Sequence, residues 1–230
     1  MVARLGADGM TTPPLDFGDA FRTATGLHAG GRLADAESLY RLVLEVEPDH
    51  FGALHNFGLL LSHLGRAEEA ERLLRRAIDR APGVAEAHAN LGTVLQAQGR
   101  IEEAAASYRR AVRLDPRAAA AHNNLAVLLR GLGFFAEAAT HHAKAVLIRP
   151  MDAEAHNNFA ATLMAQGRWE EAANRLETAL RLAPDLALAH HNLGIALMEL
   201  GRHDEAVVRF QRAASFRPGY VAEDEDIAVM

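Results

Sequence analysis

The sequence predicts an all-α protein, an α-solenoid of about six helix-turn-helix repeats, because several features recur with one fixed period. The six-residue segment 121–126 returns with small changes at 155–160 and at 189–194, each time thirty-four residues later. It also occurs earlier in the chain at 87–92 and, more loosely, at 53–58. Six of the eight prolines keep the same period, at Pro48, Pro82, Pro116, Pro150, Pro184 and Pro218. Six glycines keep it too, at Gly31, Gly65, Gly99, Gly133, Gly167 and Gly201.

Composition limits the class of protein. Half of the 230 residues are apolar and 23% are charged, as in a well-packed soluble protein, and the lack of cysteine excludes disulfide bonds and thiolate metal sites. A net charge of −6 argues against a general nucleic-acid-binding protein, which would carry a basic stripe. No segment approaches the ~20 apolar residues of a membrane span, and 1–14 lacks the apolar run of a secretory signal. We predict a cytoplasmic protein with no nucleic-acid partner, no membrane partner and no cofactor.

The repeats divide the chain into three parts. Residues 1–15, rich in glycine, threonine and proline, are predicted to be a flexible leader, and 221–230 an acidic tail. The array itself is predicted to span 16–220, in units 17–50, 51–84, 85–118, 119–152, 153–186 and 187–220. Each unit has room for two amphipathic helices of about a dozen residues, which is the usual length in globular proteins.

Each residue type that recurs at the helix ends has a physical role. The glycine between the two helices suits a left-handed C-cap, where a side chain would cost energy. Acidic pairs then enter the first turn of the second helix, where they meet the positive end of the helix dipole. These pairs are Glu68-Glu69, Glu102-Glu103, Glu170-Glu171 and Asp204-Glu205. The proline that follows ends the second helix, since it lacks an amide donor and clashes with the preceding turn.

The pattern resembles the tetratricopeptide repeat family. The third unit carries the resemblance most clearly, through His88, Leu91, Gly92, Leu95, Gly99, Ala104, Tyr108, Ala111 and Pro116. Five units match well, the first is degenerate, and the resemblance covers about nine-tenths of the chain. It implies a right-handed superhelix in which the first helix of each pair lines a concave groove. Each repeat of such an array is stabilised mainly by its neighbours.

Five asparagines share one place in the first helix of consecutive units, and they form the main candidate binding site. They are Asn56, Asn90, Asn124, Asn158 and Asn192, here called the rungs. Asparagine is a poor helix former, so its recurrence needs a reason. One interpretation is structural, with each amide bonding neighbouring helices together. The other is functional: an amide carries both donor and acceptor groups, so a ladder of amides can pair with the backbone of an extended peptide.

The ladder is similar to one in the superhelical arm of the O-linked N-acetylglucosamine transferases, where it grips substrate backbones. The chaperone-binding branch of the tetratricopeptide family instead uses a clamp of lysines and arginines for a carboxylate tail. Lys144 is the only lysine and does not lie on these helices, and Arg130 alone cannot form such a clamp. The resemblance therefore favours the peptide ladder over the clamp.

The residue before four of the five rungs is predicted to contribute secondary contacts to the peptide. These residues are Asn123, Asn157, His55 and His191. Further groove-facing side chains are predicted at Glu86, Thr93, Gln96, Arg130, Glu154, Met164 and Met198. The expected surface is thus a mixture of amide, apolar and weakly charged groups.

The histidines, the remaining candidates for metal binding or catalysis, are better explained as packing residues. His88, His122, His156 and His190 share a place that takes a large packing residue in the repeat family. His141 and His142 are adjacent, so they face different directions along a helix. We therefore predict no metal site, and no catalytic triad or phosphate loop can be argued from the sequence.

Three functions remain open at this stage. The first is a non-catalytic scaffold that binds an extended peptide segment of a partner protein. The second is the substrate-recognition arm of a glycosyltransferase similar to the O-linked N-acetylglucosamine transferases, with its catalytic domain absent from this chain. The third is a self-assembling module, a homo-oligomer formed through a C-terminal repeat in which Phe210 and Phe216 stay partly uncovered.

Overall fold

The computed structural model describes residues 17–216, and the predicted leader (1–15), Pro218 and the acidic tail (221–230) lie outside them. The described part contains twelve α-helices in six consecutive pairs and no strand, so the predicted all-α fold of helix-turn-helix repeats is confirmed. The helices are α1 (Phe17–Ala29), α2 (Leu33–Val46), α3 (Phe51–His63), α4 (Ala67–Arg80), α5 (Ala85–Ala97), α6 (Ile101–Leu114), α7 (Ala119–Gly131), α8 (Phe135–Ile148), α9 (Ala153–Met164), α10 (Trp169–Leu182), α11 (Ala187–Glu199) and α12 (His203–Phe216). The chain divides into two compact units, Met1–Leu114 and Asp115–Met230, each with three helix pairs.

The glycine between paired helices is held in the left-handed conformation in all six repeats, with φ between 70° and 80°. After α3, the Gly65 amide donates to the Ser62 carbonyl and the Arg66 amide donates to the Leu61 carbonyl. This is the Schellman arrangement, which satisfies carbonyl groups that the helix end leaves unpaired. The predicted role of the periodic glycines as C-caps is confirmed.

A second set of glycines lets the two helices of a pair approach closely. A Cβ atom built on Gly92 would lie 2.8 Å from the ring of Tyr108, which is almost fully buried. Gly58 faces Leu74 and Gly194 faces Phe210 in the same way, with distances of 2.9 Å and 2.6 Å. The first-helix glycine therefore creates the space into which the second helix inserts its largest side chain.

Replacing Gly92 by alanine should destabilise the fold. Overpacking a well-filled core costs about 1–3 kcal/mol, and the better helix propensity of alanine returns about 1 kcal/mol. We expect a net loss of up to about 2 kcal/mol, measured by urea unfolding. Gly131→Ala is the matched control, because no atom lies within 4 Å of the added methyl group. Equal effects of the two substitutions would contradict the close-approach interpretation.

In the second and third repeats of the 1–114 unit, the arginine that follows the left-handed glycine is the centre of an ion-pair cluster. Arg66 donates to Glu69 on its own second helix at 2.7 Å, and also to Glu37 on the second helix of the preceding repeat at 2.5 Å. Arg100 repeats the arrangement with Glu103 and Glu71. Hydrogen bonds from Arg66 hold the pKa of Glu69 below its usual value. Neighbouring repeats of this unit are therefore joined by shared arginines.

The 115–230 unit keeps only half of this arrangement. Arg168 pairs with Glu171 and Arg202 with Glu205, in each case three residues ahead on the same helix pair. The glutamate that would join the preceding repeat is replaced by Ala139 and by Ala173 at the corresponding positions. Both alanines are buried, so this unit uses apolar packing at the place where the other uses charge.

Candidate functional site

The five rungs lie in the middle of α3, α5, α7, α9 and α11, and all are half-buried. Asn56 and Asn90 belong to the 1–114 unit, and Asn124, Asn158 and Asn192 belong to the 115–230 unit. Each rung is half-buried because buried residues lie close to it along the helix. In α9, for example, His156 and Phe159 on either side of Asn158 are buried.

Most rungs donate a hydrogen bond to the preceding repeat. In the 115–230 unit, Asn158 Nδ2 donates to Asn123 Oδ1 at 3.3 Å, and Asn192 Nδ2 donates to Asn157 Oδ1 at 3.0 Å. In the other unit, Asn90 Nδ2 lies 2.7 Å from His55 Nε2. An amide nitrogen carries two hydrogens and an amide oxygen two lone pairs, so one such bond leaves further hydrogen-bonding capacity.

Three of the residues that precede a rung, His55, Asn123 and Asn157, therefore support the rung of the next repeat. Asn157 and His55 are only 3% and 6% exposed, and His191 is also buried. Burial lowers the pKa of His55, so its imidazole stays neutral and keeps the lone pair that accepts from Asn90. The direct peptide contacts that the sequence suggested for these residues stay a prediction. Only Asn123 of this set is half-buried.

Asn124 differs from the other rungs. The corresponding position in the preceding repeat is Ala89, which has no side-chain acceptor. Within residues 115–216 of its own unit no hydrogen bond involves the Asn124 amide, so no partner there uses its donors or acceptor. The sequence contained this signal, since Ala89 is the only alanine in a place otherwise taken by asparagine or histidine in units two to six.

The side chains predicted to surround the rungs differ in exposure. Glu86, Thr93, Glu154 and Met198 are exposed, whereas Gln96, Arg130 and Met164 are half-buried. Gln96 accepts a hydrogen bond from the hydroxyl of Tyr108 at 3.1 Å, which ties it to the second helix of its repeat. The surface around the rungs thus combines free apolar groups with polar groups that are already positioned.

The periodic histidines and prolines are joined by a hydrogen bond that the sequence did not reveal. In each of four repeats the histidine Nε2 hydrogen bonds the proline carbonyl six residues earlier. The pairs are His88 with Pro82 (3.0 Å), His122 with Pro116 (3.2 Å), His156 with Pro150 (3.0 Å) and His190 with Pro184 (2.9 Å). The histidine therefore anchors the turn between repeats. In the described part of the chain no three His, Asp or Glu side chains are placed to hold a metal ion.

Comparison with known proteins bears on this arrangement. Sequence profiles described as tetratricopeptide repeat match residues 50–117, 89–155 and 187–220, and one described as TPR repeat matches 160–201. The chain belongs to the tetratricopeptide repeat family. No curated protein matches the sequence.

Solved structures agree with this family at the level of the fold. The tetratricopeptide repeat protein is similar to PilF of Pseudomonas aeruginosa, with a TM-score of 0.80, 18% identity, and 92% of this chain and 96% of that chain covered. It is similar to YrrB, described as a TPR protein with an unusual peptide-binding site, at a TM-score of 0.67 and 21% identity, covering 79% and 94%. It is also similar to MamA from Desulfovibrio magneticus RS-1, with a TM-score of 0.67 and 19% identity, and 75% of this chain and 97% of that chain covered. The special likeness to the transferase arm stays a prediction.

The fourth tetratricopeptide repeat carries an unusual buried group. His142 is fully buried, in the place taken by Tyr108 and Leu176 in the adjacent repeats. Within the described residues neither of its ring nitrogens has a hydrogen-bond partner, and the ring stacks 6.2 Å from that of Phe159. Burial, with the nearby charge of Arg130, lowers the pKa of His142 to about 3. The imidazole is therefore neutral at physiological pH.

The last helix of the tetratricopeptide array exposes apolar side chains. Val207, Val208 and Phe216 are each about half exposed, whereas Phe210 is half-buried against α11. The predicted partial exposure of the two phenylalanines is confirmed, and self-association through this repeat stays a prediction. No helix in residues 17–216 is long and apolar enough to cross a membrane.

Proposed function

We propose that this tetratricopeptide repeat protein is a non-catalytic scaffold that binds an extended peptide segment of a partner protein across its rungs. The observation that carries the proposal is the unused hydrogen-bonding capacity of the rungs, above all that of Asn124, whose counterpart in the preceding repeat is Ala89 in the sequence. A row of amides with spare donors and acceptors can pair with a peptide backbone whatever its side chains. The similar fold of YrrB, a TPR protein with a peptide-binding site, supports the proposal.

The spacing of the rungs in the 115–230 unit suits an extended chain. The hydrogen bonds from Asn158 to Asn123 and from Asn192 to Asn157 place α7, α9 and α11 side by side. Packed helices lie ~8–10 Å apart, and an extended chain rises ~3.3 Å per residue. Each rung would therefore meet the peptide at about every third residue.

The inter-repeat hydrogen bonds support this function. A bond from one hydrogen of Asn158 or Asn192 fixes the rotamer of the amide before a ligand arrives. Fixing a side chain in advance removes part of the entropy cost of binding. The structural and the functional interpretations of the asparagines are thus compatible, because one amide can serve both. A transferase arm would use the same peptide contact, with its chemistry on another domain.

A selection from phage-displayed random dodecapeptides on the intact chain tests the proposal. We expect enriched peptides that Asn124→Ala binds about two- to twelvefold more weakly, as loss of one net hydrogen bond predicts. The melting temperature should not fall, because Asn124 has no hydrogen-bond partner to lose within residues 115–216. Asn174→Ala on the exposed face of α10 is the matched control. Failure to enrich any peptide, or equal affinities of both variants for every peptide, would refute the proposal.

A further inference from the structure

Building on the proposed function, we infer that one position in each repeat of the 115–230 unit reads the side chains of the bound peptide. Arg130 would take a carboxylate, and Met164 and Met198 would each take an apolar side chain. The ligand would then carry one acidic residue and two apolar residues at intervals of about three.

The three reading positions are structurally equivalent. Each lies seven residues after the residue that precedes a rung, namely Asn123, Asn157 or His191. Seven residues are close to two helical turns, so each reading residue lies on the same helix face as that residue, ~10 Å further along the axis. The reading residues therefore lie at equivalent places on α7, α9 and α11, the helices that carry the rungs of this unit.

Arg130 is a charged group without a counter-charge. Its Nε atom is buried without a hydrogen-bond partner, and no ion pair joins it to any residue in 17–216. Burial alone lowers its pKa, with no neighbouring carboxylate to raise it. Arg168 and Arg202 in the same unit each have a glutamate at 2.7 Å. A carboxylate is the partner that a guanidinium binds best, so the missing charge points to an acidic ligand group.

The residues equivalent to Arg130 and His142 in the third repeat, Gln96 and Tyr108, form a hydrogen bond that the fourth repeat lacks. There Gln96 accepts from the hydroxyl of Tyr108, so the reading position is satisfied within the chain. In the fourth repeat the corresponding residues are Arg130 and His142, and no hydrogen bond joins them in the described structure. In the fourth repeat the Arg130 Nε atom and the ring nitrogens of His142 therefore lack hydrogen-bond partners within the described structure.

The two methionines have the properties of apolar reading residues. Met164 is partly buried against the core of its unit, and Met198 is 44% exposed. Methionine is flexible and polarisable, so it adapts to apolar side chains of different shape. The rung is asparagine in all three repeats of this unit, whereas the reading position is Arg, Met and Met in succession. Constant rungs would bind any backbone, and the variable position would set the sequence preference.

A charge-reversal experiment tests Arg130. The probes are blocked peptides of serine and threonine, with glutamate followed by two leucines at every third position, in both orders. Matched probes carry lysine or glutamine in place of glutamate, and a further probe has glutamine with a free C-terminal carboxylate. We expect Arg130→Gln to weaken the glutamate peptide about ten- to a hundredfold, as for loss of a charge-assisted hydrogen bond. The glutamine peptide should be unaffected, and Arg130→Glu should favour the lysine peptide.

The outcomes separate this inference from the proposed function. Glutamine already occupies the equivalent place in the third repeat, so Arg130→Gln is compatible with the fold, which circular dichroism verifies. If Asn124→Ala weakens all probes but Arg130→Gln weakens none selectively, the acidic preference is wrong and the peptide function stands. If neither variant alters binding, or no probe binds, both are wrong. Binding of the free-carboxylate probe that depends on Arg130 would identify a chain terminus as the carboxylate source.

Discussion

Replacing Asn124, Asn158 and Asn192 together by alanine is expected to lower the affinity for a selected peptide by about ten- to a thousandfold. Each rung would contribute one net hydrogen bond to the peptide backbone, worth ~0.5–1.5 kcal/mol. The three together therefore account for roughly 1.5–4.5 kcal/mol of binding free energy. Isothermal titration with the wild type and the triple variant measures the loss. The effect should be similar for peptides of different sequence, since the rungs contact the backbone.

The stability of the same variant separates binding from packing. Asn158 and Asn192 each lose one inter-repeat hydrogen bond, and alanine returns up to ~0.7 kcal/mol of helix propensity per site. The two terms nearly cancel, so the melting temperature should change little. The control variant Asn123→Ala with Asn157→Ala removes the same two hydrogen bonds but gains helix propensity at two sites instead of three. Its melting temperature should be slightly lower than that of the triple variant, and its affinity should fall less because it keeps the rungs. Unaltered peptide affinity in the triple variant would show that the asparagines serve packing alone.

Replacing His142 by leucine is expected to stabilise the protein and to flatten its stability in acid. Leucine already occupies the equivalent position as Leu74 and Leu176, and opposite Leu176 the first helix carries Ala160, as it carries Ala126 opposite His142. The substitution removes two buried ring nitrogens that lack partners in the described structure. Leaving a buried polar group unsatisfied costs about 1–3 kcal/mol, so the gain at pH 7 should be of that order.

The acid effect follows from the depressed pKa. His142 titrates near pH 3 in the folded chain and near 6.5 when unfolded, so between these values the unfolded state binds a proton that the folded state excludes. The stabilising effect of the neutral ring is complete above pH 6.5 and decreases as the pH falls toward 3. The slope approaches ~1.4 kcal/mol per pH unit, or roughly 3 kcal/mol between pH 6.5 and 4.

Urea unfolding at several pH values measures this effect in both proteins. His28, His55 and His122 also have lowered pKa values, so the wild-type profile contains their contributions as well. The difference between wild type and His142→Leu isolates the one proton that belongs to His142. Parallel profiles for the two proteins would show that the ring is already protonated or solvated in the fold, which would contradict its burial.

The sequence predicted the parts of the fold that depend on local chemistry. Gly65 and its equivalents were assigned from backbone conformation alone, and the helices follow from the same period. The structure was needed to identify hydrogen bonds between residues that are distant in the sequence. The bond between His122 and the Pro116 carbonyl joins two residues whose periodicity was evident but whose geometry was not. The support of each rung by the preceding repeat likewise depends on which helix faces which, as the pair Asn192 and Asn157 shows.

Ionic strength should affect the junctions between repeats differently in the two units. Arg66 and Arg100 join successive repeats through partly exposed ion pairs, and such pairs weaken when salt shortens the electrostatic screening length, which is ~8 Å at 0.15 M. In the 115–230 unit Ala139 and Ala173 replace those glutamates, and contacts between uncharged groups are far less sensitive to ions. Rising ionic strength therefore loosens the junctions of the first three repeats while leaving those among the last three nearly unchanged. The order in which segments of the chain open is set by the electrolyte as well as by temperature.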